Sequence, residues 1–302
     1  MRLMTASYVK FTKISFSLCT RRLICDILIY GIVRKRNNLS DPEKLFTAPE
    51  NVLFYCTSFS AKTQTYFQNF GRLRKFVIYK GCKSMIFVTG DMHGEYKRFE
   101  DKRLKKLTEN DTLIICGDFG FIWDNSPEEK KTLQKLGERK HLTLFVEGTH
   151  ENFSLLATYP ICELFGARAR HICGNLYQLL RGEIYTIEGS TFFAFGGGDS
   201  DDKELRMRNG TWWREEQPSI IEMQYAVENL DKARRRVDYI ITHQPSLSDM
   251  ARVDRKCRVS ATASFFDELS HKVRYKKWFF GSLHKDKKLP KAHCLFTDVV
   301  KI

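Results

Sequence analysis

Short apolar runs that end at small or polar residues recur along the chain from Met85 onward. Three of these runs, Ile86–Thr89, Thr112–Cys116 and Leu142–Val146, have the length of a buried strand and reach a glycine within two residues. Two later runs, Tyr239–Thr242 and Lys277–Phe280, have the same length and end at a histidine or a glycine. The pattern predicts five buried strands in this part of the chain.

Helix start signals lie between these runs. Ser126 precedes Pro127 and two glutamates, of which we expect one to reach back to the cap residue, and Ser219 precedes Glu222 by three residues, so each serine is a predicted N-cap. We expect the second helix to run to about Arg236. Residues 183–189 and 191–195 indicate further strands. Strands that alternate with helices are typical of the α/β class.

The first 84 residues lack this order. Apolar and basic residues mix there without a sustained period of 2 or 3.6, and the character of the sequence changes at Lys83-Ser84-Met85. We therefore predict a domain over residues 85–302 and a basic N-terminal extension over residues 1–84. The favoured interpretation is that Met85 is the natural start of the protein, and a genuine basic extension is the alternative.

Charge is concentrated in the same segment. The chain has a net charge of +14, and residues 1–84 hold 15 Lys and Arg against 4 Asp and Glu. Strong basicity indicates a nucleic-acid partner. Here most of the excess positive charge lies in residues 1–84, and the charges of the remaining residues nearly balance. Nucleic-acid binding would therefore be confined to residues 1–84. Nucleic-acid binding through this segment is an alternative that we do not favour.

Cysteine usage and hydropathy indicate a cytoplasmic protein. The nine cysteines are odd in number and form no C-x-x-C pair, which is unlike a disulfide scaffold. The longest apolar stretch, residues 23–33, contains Asp26 and is about half as long as the roughly 20 residues that a bilayer-spanning helix needs. We expect no membrane association.

Polar residues of the kind that bind metals follow the predicted strands directly. The carboxyl ends of strands in an α/β sheet meet at one edge, so we expect these side chains to share a site. Mixed carboxylate and imidazole ligands suit one or two divalent transition-metal ions, namely Mn, Fe, Zn or Ni. The candidates are Asp91, His93, Asp118, His150, His243 and His284.

The motifs around these residues resemble the ordered blocks of calcineurin-like metallophosphoesterases, which read GDxHG, GD, GNH(D/E), H and GHxH. The corresponding blocks here are Gly90-Asp91-Met92-His93-Gly94, Gly117-Asp118, Gly148-Thr149-His150-Glu151, Thr242-His243 and Gly281-Ser282-Leu283-His284. The resemblance covers about residues 85–302. Further motifs are similar to a small bacterial or phage branch of the family: Gly196-Gly197-Gly198, Asp202-Lys203 and Trp212-Trp213-Arg214-Glu215-Glu216.

The resemblance implies two facing mixed β-sheets flanked by helices, and hydrolysis of a phosphoester by a metal-bound hydroxide. Asp91, His93 and His284 match ligands of the first metal, and Asp118 matches the carboxylate that bridges both metals. The remaining matches are His243, a ligand of the second metal, and His150, which acts on the leaving group. The implied catalytic residues are therefore His150 and Asp118.

Two positions depart from the family pattern. Thr149 stands where the family has Asn, and Ser282 stands where it has the first His of GHxH. Both positions normally bind the second metal, and neutral hydroxyls are weak ligands. We expect a tightly held first ion, a weak second ion and weak phosphatase or phosphodiesterase activity. The alternative is a non-catalytic relative that binds metal or a phosphorylated partner.

Nearby cationic and aromatic residues leave two interpretations open. Arg206 and Arg208 could meet the phosphate of a substrate, or they could be solvated surface residues. Trp212 and Trp213 could pack against the domain or form a platform for the substrate.

Overall fold

The chain divides into two units, residues 1–81 and 82–302. The computed structural model describes residues 14–16, 27–29, 84–254 and 259–302. In the first unit, strand β1 (Ile14–Phe16) pairs antiparallel with strand β2 (Ile27–Ile29). The predictions of a basic extension and of nucleic-acid binding otherwise concern residues outside the described ones.

The first sheet of the second unit has seven strands. They are β3 (Ile86–Thr89), β4 (Thr112–Cys116), β5 (Leu142–Val146), β6 (Ile161–Leu164), β7 (Ala167–Cys173), β8 (Leu176–Leu179) and β15 (Val299–Lys301). Their order is β15-β3-β4-β5-β8-β7-β6. Strands β3, β4, β5 and β8 are parallel and form the centre, and the outer strands are antiparallel to their neighbours.

The second sheet has six strands and the same arrangement. They are β9 (Glu183–Ile187), β10 (Ser190–Phe195), β11 (Tyr239–Thr242), β12 (Lys277–Phe280), β13 (Lys287–Lys288) and β14 (Ala292–Cys294). Their order is β13-β14-β12-β11-β10-β9. Four parallel strands, β10, β11, β12 and β14, lie between antiparallel edges.

Helices connect and flank these strands. They are α1 (Pro127–Gly137), α2 (Phe153–Leu156), α3 (Lys203–Arg208), α4 (Ile220–Lys232), α5 (Leu247–Val253) and α6 (Ala261–Lys272). Short 3-10 helices cover Tyr96–Glu100, Leu104–Lys106 and Arg214–Glu216. In the described part of the chain, no helix has the length and apolar character needed to cross a membrane.

The core lies in three layers because strand side chains alternate between faces. Ile114 of β4 points into the layer between the two sheets, where it joins Phe192 and Ile241 of the second sheet. Its neighbour Leu113 points to the opposite face, towards Leu133 of α1. The outer face of the second sheet is covered in the same way by α4, α5 and α6.

This architecture confirms the predicted fold of two mixed sheets flanked by helices. The five predicted buried strands have the observed bounds, Ile86–Thr89, Thr112–Cys116, Leu142–Val146, Tyr239–Thr242 and Lys277–Phe280. Each helix start was also placed at the right residue. Ser126 accepts a hydrogen bond from the Glu129 amide, and Ser219 forms a complete capping box with Glu222.

Two details of the helix predictions were wrong. Helix α4 ends at Lys232 instead of about Arg236, because the amide of Arg235 donates to the Leu230 carbonyl and the chain turns left-handed there. At α1, the Glu129 carboxylate does not reach back to the cap residue. It accepts hydrogen bonds from the amides of residues 123, 124 and 125 instead.

We predict that Phe145→Ala lowers the free energy of unfolding by about 3–5 kcal/mol, because it leaves a cavity in the core. Phe145 of β5 is fully buried and stacks on Phe119 with 4.3 Å between ring centroids. Urea denaturation followed by tryptophan fluorescence measures the effect, since all four tryptophans lie in the second unit. The control Ile221→Ala, at a residue 76% exposed, should change stability by less than about 0.5 kcal/mol. Equal losses of stability in Phe145→Ala and Ile221→Ala would contradict the assignment of Phe145 to the core.

Candidate metal centre

Four side chains from separate parts of the sequence meet where β3, β4 and β12 end. Asp91, His93, Asp118 and His284 each offer a ligand atom, and these atoms all lie within 4.8 Å of one another. They are the four residues that the sequence predicts for the first metal. A set of two carboxylates and two imidazoles fits a divalent transition metal by its chemistry.

The two carboxylates are buried and are held by backbone amides. Asp91 is 0% exposed, and the Ser282 amide donates to both of its oxygens at 3.0 Å. Asp118 is 2% exposed, and the amides of Thr149 and His150 donate to its Oδ1 at 2.6 and 2.8 Å. The loop that carries His284 therefore also fixes Asp91, and the loop that carries His150 fixes Asp118.

Both carboxyl groups are ionised in this environment. Burial raises the pKa of Asp91, but hydrogen bonds with His243 and His284 outweigh it and hold the pKa below its usual range. Burial likewise raises the pKa of Asp118, but the charge of His243 and the hydrogen bond with His150 outweigh burial and hold that pKa well below its usual range. Two negative charges close together in a buried site favour a cation beside them.

The two ligand imidazoles face each other across the site. Nε2 of His93 lies 2.8 Å from Nε2 of His284, and the His284 nitrogen lies 3.3 Å from Asp91 Oδ2. Two imidazole nitrogens at this distance share either one proton or one metal ion. This geometry adds to the fit of the four residues to a metal.

His243 lies against both carboxylates but outside the group of four. Its Nε2 is 3.5 Å from Asp118 Oδ1, and its Nδ1 is 3.5 Å from Asp91 Oδ1 and 3.3 Å from the Cys116 carbonyl. Burial lowers its pKa, but the charges of Asp118 and Asp91 prevail and raise that pKa to about 9. Its predicted role as a ligand of the second metal stays a prediction.

His150 lies at the mouth of the site between two carboxylates. Its Nδ1 is 2.8 Å from Asp118 Oδ2, and its Nε2 is 3.3 Å from Asp202 Oδ2. The hydrogen bond with Asp118 raises the pKa of His150, although burial opposes this shift. A protonated imidazole beside a metal site can donate a proton to a leaving group.

The comparison with protein families agrees with this geometry. A family model described as calcineurin-like phosphoesterase matches residues 84–286, about two-thirds of the chain. The chain belongs to the calcineurin-like phosphoesterase family. No curated protein matches it. Family membership and the group of four ligands together support divalent metal binding and a hydrolase that acts on phosphoesters.

Thr149 and Ser282, the two positions where the sequence predicts a departure from the family pattern, lie beside the ligands. The hydroxyl of Thr149 is 3.2 Å from His150 Nδ1, and its amide holds Asp118. Ser282 is half-buried and uses its amide to hold Asp91. The backbone of each of these two loops therefore holds one carboxylate of the site.

The phosphoesterase site also contains backbone strain. Four residues that are not glycine, His93, Asp118, Ser282 and His284, have positive φ angles between 39° and 68°. Such conformations are uncommon outside glycine and persist where the surroundings fix them. Here they turn side chains from successive loops towards one point.

Two functional contacts were not found from the sequence. The buried Glu151 carboxylate accepts hydrogen bonds from the amides of Phe119 and Gly120, at 2.7 and 3.2 Å, and so fixes the loop after Asp118. Asp202 contacts His150 across 52 positions of sequence. The sequence shows the Gly-rich segment and the Asp202-Lys203 motif, but their spacing does not indicate which side chain Asp202 contacts.

The open questions about Arg206 and Trp213 have structural answers. Arg206 is buried and pairs with Glu216 at 2.9 Å, so it is neither solvated nor free to bind phosphate. The Trp213 indole donates to Ser154 Oγ at 3.0 Å and packs edge-on against Trp123. Trp213 therefore packs against α2 and the loop between β4 and α1.

We predict that Gly148→Ala lowers the affinity for Mn²⁺ by at least about 10-fold, because an added methyl group would overlap the Asp118 carboxylate. Isothermal titration calorimetry of the full chain measures this affinity. The control Gly189→Ala lies in the turn between β9 and β10, where the methyl group meets open space but the φ of 74° strains the backbone, and it should leave the affinity unchanged because the strain is away from the ligands. An unchanged affinity in Gly148→Ala would show that Asp118 is not a ligand.

Proposed function

We propose that the domain hydrolyses a phosphoester with one tightly held divalent transition-metal ion. The group of four ligand atoms within 4.8 Å in a calcineurin-like phosphoesterase carries this proposal. Asp91, His93, Asp118 and His284 would hold the ion, which is Mn, Fe, Zn or Ni by the chemistry of the donors. When bound, it would act as a Lewis acid towards water and phosphoryl oxygens.

His150 supplies the proton for the leaving group in this proposal. Its Nδ1 faces the group of four, because it contacts Asp118 Oδ2. A water oxygen forms a new bond to phosphorus and releases a proton to solvent, the bond from phosphorus to the leaving oxygen breaks, and a proton from Nδ1 passes to that oxygen. Asp118 therefore has two functions, since it offers an oxygen to the ion and orients the imidazole.

The second ion is weakly bound or absent in this proposal. Thr149 and Ser282 offer neutral hydroxyls where the family has an amide and an imidazole, which leaves Asp118 and His243 as the stronger donors. The same two substitutions favour the second candidate function, a non-catalytic protein that binds metal or a phosphorylated partner. The substrate is a phosphoester of either the monoester or the diester class, and the proposed location is the cytoplasm.

We predict that the full chain with excess Mn²⁺ hydrolyses p-nitrophenyl phosphate, and that His150→Ala lowers the rate with phenyl phosphate, whose leaving group needs a proton, by about 100-fold, because general acid catalysis is lost. Asp91→Asn should remove activity together with tightly bound metal. The control His271→Ala, at an exposed residue of α6, should retain the wild-type rate. A background rate in wild type and in all variants would instead support the non-catalytic function.

We predict that the native protein retains about one metal equivalent after dialysis, because the second site lacks two donors. The double variant Thr149→Asn, Ser282→His should retain two equivalents and raise the rate by about 10-fold or more. Inductively coupled plasma mass spectrometry gives the metal content. Thr158→Asn, at an exposed threonine, is the control and should retain one equivalent. Two full equivalents in the native protein would contradict the assignment of a damaged second site.

A further inference from the structure

The carboxylate of Asp202 lies on the side of His150 that faces away from the metal ligands. Its Oδ2 is 3.3 Å from Nε2 of His150, whereas Nδ1 of the same ring is 2.8 Å from Asp118 Oδ2. The imidazole is therefore held at both nitrogens. Only Nδ1 faces the proposed reaction, so the contact with Asp202 acts on the opposite end of the ring.

An ordinary helix-capping role does not explain this carboxylate. Asp202 occupies the N-cap position of α3, where an aspartate usually accepts a hydrogen bond from an amide of the first turn. Its side chain makes no capping hydrogen bond to α3. The carboxylate is directed towards His150 instead, which leaves the usual stabilising contact unused.

A buried ion pair lies beside Asp202. Arg206 NH1 lies 2.9 Å from Glu216 Oε2 and 3.9 Å from Asp202 Oδ1, and both Arg206 and Glu216 are buried. The other oxygen of Glu216 accepts a hydrogen bond from Ser200 Oγ at 2.6 Å. The loop before α3 and the middle of α3 are thus both bound to the buried Glu216 carboxylate, and Asp202 lies between these two attachments.

A carboxylate on one imidazole nitrogen fixes the orientation and the protonation of the ring. We propose that Asp202 is a positioning residue for His150, which it holds with Nδ1 directed at the leaving group. This inference rests on the proposed phosphoester hydrolysis. Asp202 touches neither substrate nor ion in this arrangement, and its effect is transmitted through His150.

The test compares leaving groups in the full chain with saturating Mn²⁺. For phenyl phosphate, a poor leaving group that needs a proton, Asp202→Asn should lower kcat by about 10- to 100-fold with KM changed less than about 2-fold. For 2,4-dinitrophenyl phosphate, which leaves without a proton, the loss should be under about 3-fold. His150→Ala should give the same pattern, and the double variant should be no slower than His150→Ala alone.

The matched control is Glu204→Gln, which removes a carboxylate from an exposed residue in the first turn of the same helix. It should behave as wild type with both substrates. Equal losses for both leaving groups in Asp202→Asn, or effects of Asp202→Asn and His150→Ala that multiply in the double variant, would overturn the inference. So would a wild-type rate for phenyl phosphate in Asp202→Asn.

A second measurement separates this inference from the proposed function. Nitrogen-15 correlation spectra of the imidazole rings report the protonation of His150, whose signals are assigned by their loss in His150→Ala. Asp202→Asn should shift the Nε2 signal, and Glu204→Gln should not. If wild type hydrolyses neither ester, the proposed function fails, and the spectra alone decide whether Asp202 positions His150. An unchanged Nε2 signal in Asp202→Asn overturns the inference.

Discussion

Two ionised carboxylates, Asp91 and Asp118, are buried side by side at one edge of the domain, and the site depends on how their charge is compensated. An isolated buried charge is strongly unfavourable, so such groups are paired, hydrogen-bonded or bound to metal. Backbone amides supply part of the compensation, because the loop before His284 donates to Asp91 and the loop that carries His150 donates to Asp118. The imidazoles supply a further part of the charge compensation, and a divalent cation would complete it.

The fold brings these groups together because each sheet has a parallel centre. Parallel strands end at the same edge, so the loops after β3, β4 and β12 deliver their side chains to one region. The core beneath them is rigid. Phe119 directly follows Asp118 and stacks on Phe145 of the neighbouring strand, and Glu151 binds the amides of the same loop. The position of Asp118 is therefore set by apolar packing below and by hydrogen bonds above.

The sequence was most informative where a strand is buried on both faces. Such strands are continuous apolar runs, and the second residue after the run is the one that reaches the site, as at Asp91 and Asp118. Contacts between loops that are far apart along the chain leave no such pattern in the sequence. The Asp202 contact with His150 depends on a loop held by the Arg206–Glu216 pair, and nothing in the spacing indicates that an arginine after a Gly-rich segment is buried. The end of α4 was missed because a backbone hydrogen bond sets it.

The account can be tested directly by anomalous X-ray scattering from crystals of the full chain grown with Mn²⁺. It predicts one strong anomalous peak between Asp91, His93, Asp118 and His284, and a weak peak or none on the side of Asp118 that faces His243. A strong peak located elsewhere, or no peak among these four side chains at saturating Mn²⁺, would contradict it. Two peaks of equal height would show that Thr149 and Ser282 leave the second site intact.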